Sequence, residues 1–219
     1  MQWSAEMGLS LCTTITAYTT VTLMYTSITA YPPQVWTTKQ PSSVLDIQTN
    51  ANICSVEYNP RLSHELAVGS ADHAVRVFDL RQPSRPLHHF RGHRKAVSYV
   101  RYLNGQELSS ASIDGTLRLW RTQESGSASV RCFQGHANEK NFVGLAASDE
   151  FVACGSETDE VYVYFKALSA PIAKAAFGSS GAEEPSPHFI SAVRWQPGTR
   201  MLVAANSQGL VKLMKLTSQ

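Results

Sequence analysis

Four segments of the chain end in the same alternation of apolar and polar positions: AVRVFDLR (74–81), TLRLWRT (116–122), EVYVYFK (160–166) and LVKLMKL (210–216). A period of two is the signature of a strand buried on one face. A fifth fragment, Gln34-Val35-Trp36, matches the end of another such strand. The large side chains near the ends of these segments are Trp36, Phe78, Trp120, Tyr164 and Met214, spaced by 42, 42, 44 and 50 residues. Ahead of most of them lies a small-residue strand and a turn: AVGSADH (67–73), SSASIDG (109–115), ACGSETD (153–159) and AANSQG (204–209). Ahead of those comes a further strand, in CSVEY, VSYVRY, FVGLAAS and SAVRW.

Two of the units open with Gly-His, at Gly92-His93 and Gly135-His136. A period of about 40–45 residues, opening with Gly-His and closing near Trp, is the mark of WD repeats. The fold class is therefore all-β: a WD-repeat β-propeller, incomplete, with about four blades plus a fragment. In the unit from Gly92 to Trp120, the residues His93, Ser110, Asp114 and Trp120 have the chemistry of a buried hydrogen-bond chain, and Asp114-Gly115 suits the tight turn between two strands. These four are structural residues, not a catalytic set. Phe78, Tyr164 and Met214 stand where the other units would carry Trp.

Composition sharpens this reading. In 219 residues the apolar share is 43%, the charged share 16% and the net charge +2, which argues against a disordered chain, a coiled coil or a general nucleic-acid binder. No apolar run reaches the roughly 18 residues of a membrane span. Cys12, Cys54, Cys132 and Cys154 form no C-x-x-C pair and read as free thiols. With no metal spacing, phosphate loop or G-x-S-x-G, no enzyme activity, metal or cofactor is expected.

Two stretches break the period. Residues 1–33 form a non-repeat, Thr-rich segment, and Met7 to Thr38 carries no charged side chain. It reads as foreign to the repeat, without stable structure or joined from elsewhere; the alternative is a strand or two patching an open edge. The repeat domain is 34–219. Gly178–Pro187 reads as a surface loop that lengthens the last spacing. A ring needs typically four to eight closed blades, so an arc of about four exposes apolar faces at its ends.

The stretches ANICSVEYNP (51–60), AVGSADH (67–73), FDLRQPSRPLHHFRGHRKAVSYVRYL (78–103), SASIDGTLRLW (110–120), GHANEKNFVGL (135–145) and CGSETDEVYVY (154–164) closely resemble the C-terminal propeller of the Constitutively Photomorphogenic E3 ubiquitin ligase family, with FISAVRW (189–195) and AANSQGLVKL (204–213) continuing the match. The SPA and Repressor of UV-B Photomorphogenesis proteins look similar. The resemblance implies about four of seven blades of a substrate-recognition module in light signalling. It implies a peptide site for degrons with a Val-Pro core and acidic flanks, carried here by Lys95, Glu139 and Phe142, with His73 as a further rim residue. Its implied partners are Val-Pro-containing transcription factors or photoreceptors, and its implied location is nucleus and cytoplasm. Phe78-Asp79-Leu80-Arg81 resembles the W-D-x-R motif by which propellers dock on the adaptor of cullin-4 ligases, which points to Asp79 and Arg81. No RING cysteines and no heptad stretch are visible, so ligase chemistry is not expected of this sequence. A regulator of the UV-B repressor type without a RING, and a generic WD scaffold, are the alternatives.

Overall fold

The computed structural model describes residues 20–23, 33–37, 39, 41–123, 129–177 and 188–217. Of the Thr-rich start, it describes only 20–23 and 33, so the reading of the rest of 1–33 lies outside the described residues, as does the loop expected at 178–187. Thr20–Leu23 forms strand β1. It pairs antiparallel with β2 (Gln34–Thr37), which pairs in turn with β3 (Leu45–Asp46).

The repeat units follow as sheets of antiparallel neighbours. The first holds β4 (Ile53–Tyr58), β5 (Glu65–Ser70), β6 (Ala74–Asp79) and β7 (His88–Arg91). The second holds β8 (Val97–Tyr102), β9 (Glu107–Ser112), β10 (Thr116–Arg121) and β11 (Arg131–Phe133). The third holds β12 (Leu145–Ala147), β13 (Phe151–Cys154), β14 (Glu160–Phe165) and β15 (Pro171–Ala176). The last holds β16 (Ile190–Trp195), β17 (Met201–Asn206) and β18 (Val211–Lys215). Strands run in sequence order across each sheet, so each repeat of the sequence is one blade.

The core lies in the seams between blades. Ala67, Val75 and Val77 of the first blade pack against Val97, Val100 and Tyr102 on β8. Ala111, Leu117 and Leu119 of the second meet Leu145 on β12, and Val161 and Val163 of the third meet Ile190, Val193 and Trp195 on β16. The alternation read from the sequence thus serves two seams at once, one on each face of a blade. Close approach forces glycine where β13 crosses the next inner strand. A Cβ on Gly155 would run into the Val143 carbonyl and Ile190.

The last blade shows what a seam conceals. Val203, Val211 and Leu213 hold the positions of Ala67, Val75 and Val77, yet are 38%, 66% and 67% exposed, whereas the matching residues of the first blade are fully buried. This is the apolar end face expected of an arc.

Candidate functional site

Because neighbouring strands are antiparallel, the β5–β6 turn and the β7–β8 loop share one end of the blades, here called the upper end. The β4–β5 and β6–β7 loops lie at the lower end. The upper end is held by the chain of four residues. His93 Nδ1 lies 3.1 Å from Asp114 Oδ2, and His93 Nε2 lies 2.7 Å from Ser110 Oγ. Trp120 Nε1 donates to Ser110 Oγ at 2.8 Å. An ionised Asp114 only accepts, so the proton sits on His93 Nδ1. Nε2 then accepts the Ser110 hydroxyl, whose oxygen accepts the indole N–H. Every member has a partner with no spare proton.

Asp114 also accepts from the Arg94 N–H at 2.8 Å and the Thr116 hydroxyl at 2.7 Å. Burial on its own would raise its pKa, but the hydrogen bonds from His93, Thr116 and Arg94 outweigh it and hold the carboxyl well below the usual range. Burial pushes His93 down, so the imidazole is neutral at pH 7.

The third blade reaches the same end differently. Cys154 holds the position of Ser110, and Tyr164 that of Trp120. The Tyr164 hydroxyl bonds His136 Nδ1 directly at 3.0 Å, and burial lowers His136 to about 4. The phenol thus reaches the imidazole directly from the place of the indole, a contact the absence of Trp in the sequence had hidden, while the buried His136 Nε2 has no partner among the described residues.

Lys95 lies exposed in the β7–β8 loop, whose main chain is pinned by the Ser112 hydroxyl donating to the Lys95 carbonyl at 3.1 Å. Glu139 lies exposed in the equivalent β11–β12 loop. That loop is gripped by Glu157 Oε1, which accepts from the N–H groups of Lys140 and Asn141, each at 2.7 Å. Phe142 is half-buried, its ring edge-on to Tyr99 with centroids 5.7 Å apart, in the seam between the second and third blades. His73 is exposed in the β5–β6 turn at φ 70°, where the second blade has Gly115 at φ 75°. Lys95, Glu139, Phe142 and His73 all belong to the upper end. Tyr99 and Glu157, which hold two of them in place, were not singled out from the sequence; their only signal there was adjacency across the repeat.

Asp79 and Arg81 lie at the opposite, lower end, where β6 gives way to the β6–β7 loop. The Arg81 backbone N–H donates to Asp79 Oδ1 at 2.9 Å, and its guanidinium clasps the same carboxylate, with Nη2 to Oδ2 at 2.6 Å. The hydrogen bonds to Arg81 hold Asp79 down to about 2. The Arg81 side chain is 67% exposed, so its head is fixed by Asp79 yet open to a partner. Cys54, Cys132 and Cys154 are free thiols, the two buried ones raised by desolvation; Cys12 lies outside the described residues.

The WD domain, G-beta repeat family model matches residues 84–121. The chain is 51% identical over 189 residues to the E3 ubiquitin-protein ligase COP1 of Arabidopsis thaliana, across 84% of this chain and 28% of that protein. It is 43% identical to the Arabidopsis Protein SUPPRESSOR OF PHYA-105 1, across 84% of this chain and 19% of that one. It is 36% identical to the Arabidopsis WD repeat-containing protein RUP2, across 74% of this chain and 45% of that one. The chain therefore spans less than half the length of each of these relatives. The crystal structure of Chaetomium thermophilum Raptor shares the fold, with a TM-score of 0.73 at 18% identity, over 87% of this chain and 18% of that one. The period, the sheets, the hydrogen-bond chain and these matches agree that the chain is a β-propeller segment of the WD-repeat class, related to the COP1, SPA and RUP proteins.

Proposed function

We propose that the chain is a protein-recognition module of a light-signalling ubiquitin-ligase pathway, and that its upper rim takes extended peptides with a Val-Pro core and acidic flanks. One observation carries this reading: equivalent loops of two adjacent blades bring Lys95 and Glu139 to the same end as Phe142, whose ring is braced by Tyr99. The chemistry is complementary. Lys95 meets an acidic flank of the peptide, Glu139 accepts a peptide N–H, and Phe142 offers an aromatic face to Val-Pro, whose proline is preorganised and donates no hydrogen bond.

The test is titration of a labelled acidic Val-Pro peptide at low and high salt. Lys95→Glu replaces a charge-assisted contact by like-charge repulsion, and is expected to weaken binding about tenfold or more at low salt. The Ser112 bond to its carbonyl holds the loop independently of the side chain, so folding is expected to be unchanged. Equal affinity of the folded variant at both salts overturns the degron reading and leaves a generic scaffold.

A second reading rests on the Asp79–Arg81 clasp at the lower end, which fits docking on a cullin-4 adaptor, as a ligase receptor or as a regulator of the UV-B repressor type. Capture of the adaptor is expected to be lost in Arg81→Ala; capture unchanged by that substitution removes this reading.

A further inference from the structure

At the lower end the inner strands enclose a cavity of about 1130 Å³, walled by all four repeat blades. The inner strands pack in series, β4 on β8, β8 on β12 and β12 on β16. Alignment of the repeats puts Glu57, Arg101, Ala146 and Arg194 at the same position of β4, β8, β12 and β16, and all four line this cavity. One carboxylate thus stands in a layer with two guanidinium groups.

That carboxylate is already engaged. Glu57 Oε2 accepts the Tyr102 backbone N–H, and Arg101 Nε stands 4.0 Å from Oε1. Burial raises the Glu57 pKa, against the pull of Arg101 and Arg194. Arg61 and Arg200 add two more guanidinium groups to the wall, and Asp149 and Glu150 two carboxylates. Through their main chains Arg61 and Arg200 are bonded, but the guanidinium groups of Arg61, Arg194 and Arg200 make no hydrogen bond or ion pair to the described residues. Two further donors on this wall are buried without an acceptor among the described residues, the Arg101 Nε–H and the indole N–H of Trp195. Buried donors of this kind ordinarily find a partner. The wall therefore carries more N–H donors than acceptors and more positive than negative charge.

We infer that this lower axial cavity is a binding site for a small multivalent oxyanion, phosphate or carboxylate, held by Arg101 and Arg194. The planar guanidinium fork matches either group in a bidentate manner, and a partly enclosed cavity screens the pairing less than open water does. The site is separate from the upper rim and does not depend on the peptide reading.

Calorimetric titration of the full chain with tripolyphosphate and, in a second arm, citrate tests the inference and separates phosphate from carboxylate ligands. Saturable binding tighter than about 1 mM at low salt is expected for at least one. Arg194→Gln, an exposed position whose loss leaves the seams intact, is expected to weaken it about tenfold, while Arg91→Gln on the outer strand β7 leaves it unchanged. Glu57→Gln is expected to tighten binding, because it removes the competing carboxylate and keeps an acceptor for the Tyr102 N–H. The inference is overturned if neither anion binds, if Arg194→Gln binds as the parent does while folded, or if Arg91→Gln loses as much as Arg194→Gln.

Discussion

Ser110→Ala isolates the hydrogen-bond chain of the second blade from its packing. The substitution removes one oxygen and leaves the Trp120 ring, which is fully buried, in its place. Two buried groups then lose their partner. The Trp120 N–H loses its acceptor at 2.8 Å, and His93 Nε2 loses its donor at 2.7 Å. Each unsatisfied buried group costs about 1–3 kcal/mol, so with partial relaxation the loss is about 2–4 kcal/mol. Ser109→Ala is the control. Its side chain is also fully buried, but its hydroxyl donates only to the Arg101 carbonyl, at 3.0 Å, so about 1 kcal/mol or less is expected. The assay is urea unfolding followed by intrinsic fluorescence, comparing midpoints at a common slope. A Ser110→Ala loss no greater than that of Ser109→Ala refutes the reasoning, because the chain would then contribute nothing beyond an ordinary hydroxyl.

Stability is expected to fall as the pH drops below about 6.5. The unfolded chain takes up protons there, while folded His136 resists protonation until about 4, so proton uptake favours unfolding; for His136 alone the effect reaches about 3 kcal/mol. Denaturant titrations at pH 7.5 and 5.0 measure this, and a His136→Gln variant with an undiminished pH slope contradicts it. The lowered Asp114 acts in a separate window, with stability that is present above about pH 4 and lost on further acidification. Val211→Lys with Leu213→Lys is expected to reduce self-association and dye binding while leaving the urea midpoint in place, since both side chains are two-thirds exposed; a midpoint loss above about 1 kcal/mol would show that these side chains pack in a seam after all.

What the sequence displayed well was whatever repeats along the chain. The aromatic spacing located β6, β10, β14 and β18, and four residue types at fixed offsets announced the chain from His93 to Trp120. What it hid depends on relations across strands. Tyr164 was legible as a missing Trp, but its direct bond to His136 requires the blade's three-dimensional register. The layer of Glu57, Arg101 and Arg194 is scattered over 138 residues and becomes a cluster only when inner strands converge. Phe142, named in the sequence only through the resemblance, is half-buried against Tyr99, a contact made across two blades. The pairing of Thr20–Leu23 with Gln34–Thr37 was at most implicit in the β-branched threonines, because strand propensity names no partner.

The seams also give the molecule a mechanical grammar. A blade clasped on both sides can open only by breaking two apolar interfaces, whereas, among the described residues, the last repeat blade is held through one. In such a row, coupling passes from neighbour to neighbour, and opening is easiest at the ends. Amides of β17 and β18 should therefore exchange with solvent sooner than those of β9 and β10. Lys95, Glu139 and Phe142 ride on the middle of the row, where fraying arrives last, so the rim keeps its shape while the end of the arc breathes.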